Sequence, residues 1–583
     1  MKAEQQHLTS FIGSNSSYIV PFFQRSYVWK EMQWERLMSD VIYASETKNQ
    51  LFLGAVIFKK RFNEDGIQDG YTVIDGQQRL TTLFIFFKVL SLYSGQTAWF
   101  SGTFQKFDRL PVLTQSHAHK EDFNKIITLT SPIELPCNAP ESQINRAYSY
   151  FRETLKDIFI NRENTNDKGK KIIDYDNVFK LMNFVVITLD QGEDEQQIFD
   201  TINSLGVKLT TGELLKNYLF SQTGLNDYEN IWKPVFENDS ETIKFWDSQI
   251  VTGRLNKKTI DSFLYYYLQI KSQEEDIKGD KKQYRRIENL FASYKMLVEV
   301  NRFSKDIVAL EITGYAKLFM ECFRREDESI DLPSNPGIER ICFIINNLDT
   351  TTLTPYILYI LHEVSDDSER NRIFGFLETY IVRRIIVDSN NNNYSDLFTE
   401  NLIGQKIKTF EALKEYIISK DGSVSLAMPT DEDVKLGVAG TQFKNNKKAL
   451  ALLYLLESSM QTDTHSTVLR TFDAYTLEHL LPKKWKKHWQ LLDGVSEESR
   501  NRALYTIGNL AMITSGLNNS IRNYDWPTKK HGKNNKPGLS EFAIGLKTVA
   551  PYLCLTDWNE SEIKKRGQDL AQMIINQWPV KFD

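Results

Sequence analysis

The stretch Val73-Ile74-Asp75-Gly76-Gln77-Gln78-Arg79-Leu80-Thr81-Thr82-Leu83 decides how the first part of this chain is read. Tyr71, Val73 and Ile74 are strand formers, Asp75-Gly76 is a turn signal, and Leu80, Leu83, Phe84 and Phe87 recur at helical spacing. The expected unit is strand, tight turn, helix. Glycine lets the backbone approach a ligand closely, and the unpaired amides that open the helix favour an anion. Arg79, one turn in, adds a permanent charge suited to phosphate. A purely structural alternative stands beside this reading: an Asp-Gly turn with Gln77 and Gln78 exposed and Arg79 paired with an acid.

Around this unit, Ser17 to Val20 and Leu51 to Phe58 read as strands, Met32 to Ala44 as a helix, and Asn63 to Gly70 as a polar hairpin loop. In Phe22-Phe23-Gln24-Arg25, Arg25 suits either a nucleotide phosphate or a stack on Trp29. Pro111, Pro132, Pro136 and Pro140 mark loops, where a lid or specificity insertion would fit. Phe179 to Leu189 is apolar enough for a buried strand, and a helix from Glu195 to Ile202 is expected to end at Gly206. The next helix begins after Thr210 or Thr211. Asn203 and Lys216 can approach the same ligand as Arg79, or be a helix-end residue and a surface charge.

Four segments follow one another in order: Pro21-Phe22-Phe23-Gln24-Arg25-Ser26-Tyr27-Val28-Trp29, Phe52-Leu53-Gly54-Ala55-Val56, Asp75-Gly76-Gln77-Gln78-Arg79 and Ile202-Asn203-Ser204-Leu205-Gly206. This set resembles the ParB-related, DGQQR-bearing domain of GmrSD-type modification-dependent restriction enzymes. The resemblance implies a ParB-like α+β domain over residues 1–222 that senses and binds an NTP, either GTP or ATP. Arg25, Asp75, Gly76, Gln77, Gln78, Arg79, Asn203 and Lys216 would line the site, with Asp75 reaching a nucleotide-bound Mg²⁺.

Residues 223–440 read as helix after helix. Phe263 to Ile270, Ile341 to Asn347, Tyr356 to Val364 and Phe374 to Val387 carry apolar stripes at three and four residue spacing, which belong to a core more often than to a cofactor site. Asn390 to Asn393 reads as an exposed loop, and no internal repeat is apparent. This middle domain is expected to hold the two ends apart and to transmit a conformational change.

A second constellation lies in residues 441–583, which hold His465, His479, His488 and His531. Tyr475-Thr476-Leu477-Glu478-His479-Leu480-Leu481-Pro482 reads as a strand ending in a loop, and Ile507-Gly508-Asn509-Leu510-Ala511-Met512-Ile513 as a second strand. Ser515 is expected to cap a short helix bearing Asn518, Asn519 and Asn523. Strand, loop, strand, helix with His, Asn and Asn in that order is similar to the His-Me finger (HNH-like, ββα-metal) nucleases. In particular it resembles the Glu/Asp-His-x-x-Pro and Gly-Asn-Leu pattern at the C-terminus of GmrSD-type enzymes, which Pro482, Trp485 and Lys529 also fit.

That resemblance assigns roles. His479 would be the general base, Glu478 and Asn518 the ligands of Mg²⁺ or Mn²⁺, and Asn509 the residue fixing the loop that orients His479. The helix offers amides where many relatives keep a histidine, so Asn519 and Asn523 stay open as ligands. The residue types suit phosphodiester hydrolysis: a water must lose a proton near neutral pH, and a hard cation accepts carboxylate, amide and water oxygens. A lone histidine between Leu477 and Leu480 is more often a partly buried core residue, and it is the surrounding pattern that favours catalysis.

Net charge is −5, which argues against a chain coating nucleic acid over its whole surface. Yet Lys483 to Lys536 hold eleven Lys and Arg against four acids. Lys483, Lys484, Lys486, Lys487, Lys529 and Lys530 are the expected DNA contacts there. Four scattered cysteines, with no Cys-x-x-Cys, suggest a reducing, cytoplasmic setting. The opening residues lack an apolar leader and Lys88 interrupts the run Leu83 to Tyr93, so no membrane segment is expected. A P-loop and a His-Glu-x-x-His zinc motif are absent from the sequence.

The chain thus reads as an α+β multidomain protein. Resemblance implies a nucleotide-regulated, metal-dependent DNA endonuclease with NTPase activity, directed at modified phage DNA, with a homo-oligomer left open. A ParB-like DNA-binding regulator whose finger is structural, and a nuclease not gated by nucleotide, are the rival readings.

Overall fold

Six strands form a mixed sheet in the first part of the chain: β1 Lys2–His7, β2 Tyr18–Ile19, β3 Leu51–Phe62, β4 Gln68–Asp75, β5 Leu113–Thr114 and β6 Met182–Leu189. Their order is β1-β6-β3-β4-β2-β5. β3 and β4 are an antiparallel hairpin at the centre and β1 runs antiparallel to β6, while β6–β3, β4–β2 and β2–β5 are parallel. Asp75 therefore ends a central strand. The computed structural model describes residues 2–13, 17–21, 24, 27–63, 65–115, 120–133, 142–161, 163–166, 171–190, 210–220, 225–252, 255–274, 277–279, 281–324, 332–420, 422–423, 425–461, 469–534 and 536–581.

The helices of this part include α1 Glu31–Thr47, α2 Gln77–Ser94, α3 Gln143–Lys156 and α4 Thr211–Phe220. Within α2, Gln78 and every residue from Leu80 to Ser91 are buried. A helix shielded on all faces belongs inside a domain. Its Leu80, Leu83, Phe84 and Phe87 share one apolar core with Val56, Phe58 and Val73 of the sheet and Phe151 of α3. The strand-turn-helix reading holds, and the Asn63–Gly70 loop proves shorter, because β4 starts at Gln68.

Two elements differ from expectation. β1 carries the polar sequence Lys-Ala-Glu-Gln-Gln-His and is exposed along almost its whole length. An edge strand paired on one side only needs no apolar alternation, so nothing in its composition announces it. The strand expected from Phe179 begins at Met182, with a helix Tyr175–Leu181 in front of it. The helix expected at Glu195–Ile202 and its Gly206 cap lie outside the described residues.

The chain divides into two compact units, Met1–Asn230 and Ile231–Asp583. The second opens with short helices at Lys233–Phe236 and Ser240–Asp247, then the hairpin β7 Gln249–Thr252 and β8 Leu255–Lys258 and helices such as Thr259–Lys271, Lys305–Phe323 and Ile338–Asn347. It continues through α5 Asp367–Ile386, α6 Asp431–Gly440 and α7 Asn446–Ser459. The antiparallel pair β9 Tyr475–His479 and β10 Leu510–Thr514 follows, then α8 Ser515–Ile521, α9 Trp526–His531 and α10 Glu560–Gln577.

The boundary expected at 440/441 falls inside this second unit. Buried arginines explain the continuity. Arg383 of α5 donates to Trp578 O at 2.7 Å and Pro429 O at 2.9 Å and pairs with Asp431 at 2.6 Å. Arg340 holds Glu378 of α5 with contacts of 2.6–3.1 Å and reaches Ser458 of α7 at 2.9 Å. Cutting at 440/441 would leave each arginine its acid but remove the bonds to Trp578 O and Ser458.

Candidate functional site

Asp75 closes β4, and Gly76, at φ 94°, opens α2 in the left-handed region. A Cβ at Gly76 would lie 2.6 Å from Val56 Cγ1, so both conformation and space require glycine. Gly76 has no side chain with which to cap α2.

The neighbouring side chains knit the turn together. Arg79 Nη1 donates to Leu53 O at 3.1 Å and Ala55 O at 2.5 Å of β3. Its Nη2 stands 4.0 Å from Asp75 Oδ2, so the acid partner of the structural alternative is a weak one and the carbonyls are the main anchors. Gln78, exposed in that alternative, is buried, its Oε1 accepting from Val28 N at 2.8 Å. Gln24 Nε2 donates to Val73 O at 2.5 Å and Ile74 O at 3.1 Å, while its Oε1 is buried without a partner among the described residues. Three of the four N-terminal motif segments therefore meet at the end of β4.

Gln77 is half-buried beside them. Lys216, a surface charge in one reading, is buried on α4 with its ammonium 5.6 Å from the centre of the Tyr228 ring. Arg25 and Asn203 lie outside the described residues.

In the second unit, β9 and β10 pair so that His479 faces Leu510 and Glu478 faces Ala511. Asn509 precedes β10 in a short 3-10 turn, Ile507–Asn509, where a strand was expected. The side chain of Asn509 accounts for the turn. Its Oδ1 accepts from Leu481 N at 2.8 Å and Trp558 Nε1 at 3.1 Å, and its Nδ2 donates to Leu481 O at 2.9 Å and Leu504 O at 3.0 Å. Leu480 N adds a bond to Asn509 O at 3.0 Å. Asn509 thus pins the two residues that follow His479.

His479 is only 7% exposed, less open than a surface base would be, and its Nε2 is buried without a hydrogen-bond partner among the described residues. The Tyr505 ring meets it edge-on, 5.8 Å between centres. Burial, reinforced by Lys483 and Lys529, pulls the imidazole pKa down to about 4, so the ring is neutral near pH 7. A neutral imidazole can accept a proton, as a general base must.

Lys529 corrects a sequence expectation. It was expected to touch DNA, but it is fully buried on α9, ion-paired with Glu478 and donating to His479 O at 2.8 Å. Burial raises the Glu478 carboxyl and lowers the Lys529 ammonium, each drawn back by the other. A lysine this deep requires such an acid, because an unpaired buried charge costs several kcal/mol. Lys530 is half-buried and spends its ammonium on Leu555 O at 2.8 Å. Lys483, Lys484, Lys486 and Lys487 are exposed, Lys486 pairing with Glu497 at 2.8 Å.

Ser515 is the first residue of α8, whose N-cap position belongs to Thr514. Asn523 falls beyond the helix and Asn519 is exposed on it. Asn518 is the one of the three bonded to β9: its Nδ2 donates to Thr476 Oγ1 at 3.0 Å and Leu477 O at 3.4 Å, leaving Oδ1 for another partner. Glu478 and Asn518 offer oxygens of the kind a hard cation takes. Among the described residues no group of three or more His, Cys, Asp or Glu could hold a metal, so an ion held by these two donors would have to draw its other ligands from water or phosphate oxygens. His465 lies outside the described residues.

Sequence reasoning missed Tyr505, Trp558 and Arg566 around the His479 turn. None belongs to a motif or lies within 20 residues of His479, so only the fold brings them there.

Two family models match the chain. The N-terminal domain of the GmrSD restriction endonuclease matches residues 8–220, and the C-terminal domain of the GmrSD restriction endonucleases matches residues 428–573. Together they span well over half of the chain, and they define a DNA endonuclease of restriction defence. The chain belongs to the GmrSD restriction endonuclease family. A comparison with curated proteins found no match. No helix among the described residues is long and apolar enough to cross a membrane.

Proposed function

We propose that this endonuclease hydrolyses DNA at a metal-dependent His-Me finger site centred on His479, and that a nucleotide bound at the Asp75–Arg79 turn gates the cleavage. The observation that carries the reading is His479 itself: a neutral, shielded imidazole with an unpartnered Nε2, beside a Glu478 held by Lys529 and an Asn518 drawn onto the same strand. His479 would take the proton of the attacking water. Glu478 and Asn518 would hold Mg²⁺ or Mn²⁺, which when bound supplies charge to stabilise the scissile phosphate and the leaving oxygen. Lys483, Lys484, Lys486 and Lys487 would position the DNA backbone without reading its sequence.

In the first unit, the N-terminal end of α2 would face nucleotide phosphate, with Asp75 on its Mg²⁺ and the remaining donors of Arg79 alongside. GTP and ATP fit this chemistry equally. The role of GmrSD enzymes in restriction supports modified phage DNA as the substrate. A cytoplasmic site of action and NTPase turnover belong to the same proposal, as does any assembly into homo-oligomers.

The test is cleavage of plain and modified phage genomes with Mg²⁺, with and without GTP or ATP. Wild type should cut the modified genomes in a nucleotide-dependent way. His479→Ala should lose on the order of 10³-fold in rate while still binding DNA. Full cleavage by that variant would remove His479 from the mechanism, and nucleotide-independent cutting would favour the ungated nuclease.

A further inference from the structure

The residues that immobilise the His479 loop are themselves held by a distant element. Arg566, on α10, is fully buried, and its Nη1 donates to Gly508 O at 2.7 Å, Leu510 O at 2.8 Å and Ile507 O at 3.3 Å. One guanidinium thus collects the carbonyls on both sides of Asn509. Trp558, just before α10, donates to Asn509 Oδ1 and stacks on Trp526 at 5.2 Å, the first residue of the helix that carries Lys529. Contact between α10 and the turn is close: a Cβ at Gly508 would lie 2.3 Å from Ile563 O and 3.1 Å from Gly567 N. A side chain at Gly508 would push helix and turn apart.

The far end of α10 is anchored just as firmly. Trp578 Nε1 donates to Glu378 Oε1 at 2.8 Å, and Trp578 O accepts from Arg383 Nε at 2.7 Å, both partners being on α5 of the helical middle. An α-helix resists compression along its axis, so a displacement of α5 at Trp578 is delivered to the Arg566 end.

We propose that α10 is a strut that sets the position of His479 from the helical middle, with Arg566 and Trp558 as positioning residues at the active-site end and Trp578 as the anchor at the other. The proposal rests on the reading of His479 as the general base. Its structural half, that α10 fixes the His479 ring, stands or falls separately.

The experiment uses the full-length protein with ¹³C-labelled histidine, the His479 resonance being assigned by its loss in His479→Ala, together with steady-state DNA cleavage. Arg566→Lys keeps the charge but cannot span three carbonyls, and Trp578→Phe keeps the ring but loses the bond to Glu378. Both should shift the His479 resonance. They should lower kcat by about 100-fold and about 10-fold respectively at unchanged KM for DNA, the size expected for misplacing a catalytic group by an ångström or less. Trp578→Phe is mild enough to fold, so the test survives if Arg566→Lys does not.

An unmoved His479 resonance with wild-type kcat in Trp578→Phe overturns the strut, as does a change confined to KM. Should His479→Ala cleave like wild type, the base assignment fails. A shifted resonance in Trp578→Phe would still establish the mechanical link.

Discussion

The turn at Asp75–Arg79 and the loop at Glu478–Leu481 are built by opposite means. At the first, the motif holds itself: Arg79 and Gln78 spend their polar atoms on backbone within the same sheet and on the segment before α1. At the second, the holding is done from outside, by Asn509, Lys529, Trp558 and Arg566. The motif histidine is thereby left with an unsatisfied nitrogen. A motif mixes residues that hold with residues that act, and saturation of hydrogen bonds tells them apart. By that measure Gln78 and Asn509 are holders, while His479 and the Oδ1 of Asn518 remain available for chemistry.

The sharpest way to break this contrast is Asn509→Ala. It strips partners from Leu481 N and Trp558 Nε1 in a dry interior, so unfolding should become easier by roughly 4 kcal/mol and cleavage should vanish. Chemical denaturation checks it. A variant as stable as wild type would mean that Asn509 is not the pin of the loop.

Arg79→Met probes the self-held turn and should do less, because the side chain is partly exposed and Asp75 remains in place. Loss of its bonds to Leu53 O and Ala55 O should cost roughly 2 kcal/mol. Under the gating proposal it should also weaken nucleotide binding, measured by calorimetry. Intact nucleotide affinity in a folded Arg79→Met protein would leave this arginine as a holder alone.

The smallest effect is expected from a residue that neither holds nor acts. Lys88 is buried within α2 over the Phe100 ring, 4.8 Å from its centre, and no acid pairs with it among the described residues. Burial lowers its pKa to about 8 from the usual 10.5. Between those values the folded chain binds fewer protons than the unfolded one, so this lysine makes stability rise with pH across that window. Below pH 8 its charge is a burden. Lys88→Met should therefore stabilise the first unit at pH 7 by about 1–2 kcal/mol, after the lost ring contact is counted, and the gain should shrink by pH 10. Equal melting temperatures of the two proteins at both pH values would refute this.

Much of the fold was legible. Leu80, Leu83, Phe84 and Phe87 announced α2, and Tyr475 to His479 announced β9, because apolar spacing reports the local period directly. The order His479, Asn509, Asn518 likewise picked out residues that the fold brings to β9 and the loop after it. What stayed hidden depends on long-range polar contacts. Lys529 follows Trp526-Pro527-Thr528 in a basic stretch and looks like a surface charge until Glu478 is found across from it. Ile507 reads as the start of a strand, whereas in the fold the Asn509 side chain and Arg566 hold that segment as a turn. Polar β1 offers no period to read.

Arg566 also has a consequence for how the enzyme is made. It reaches back 56 residues to Leu510, and Trp578 reaches back 200 to Glu378. A ribosome delivers domains in order from the N-terminus. β9 and its histidine emerge from it well before the guanidinium that locks the neighbouring turn. A nascent chain therefore carries His479 in an unlocked loop until α10 has been synthesised.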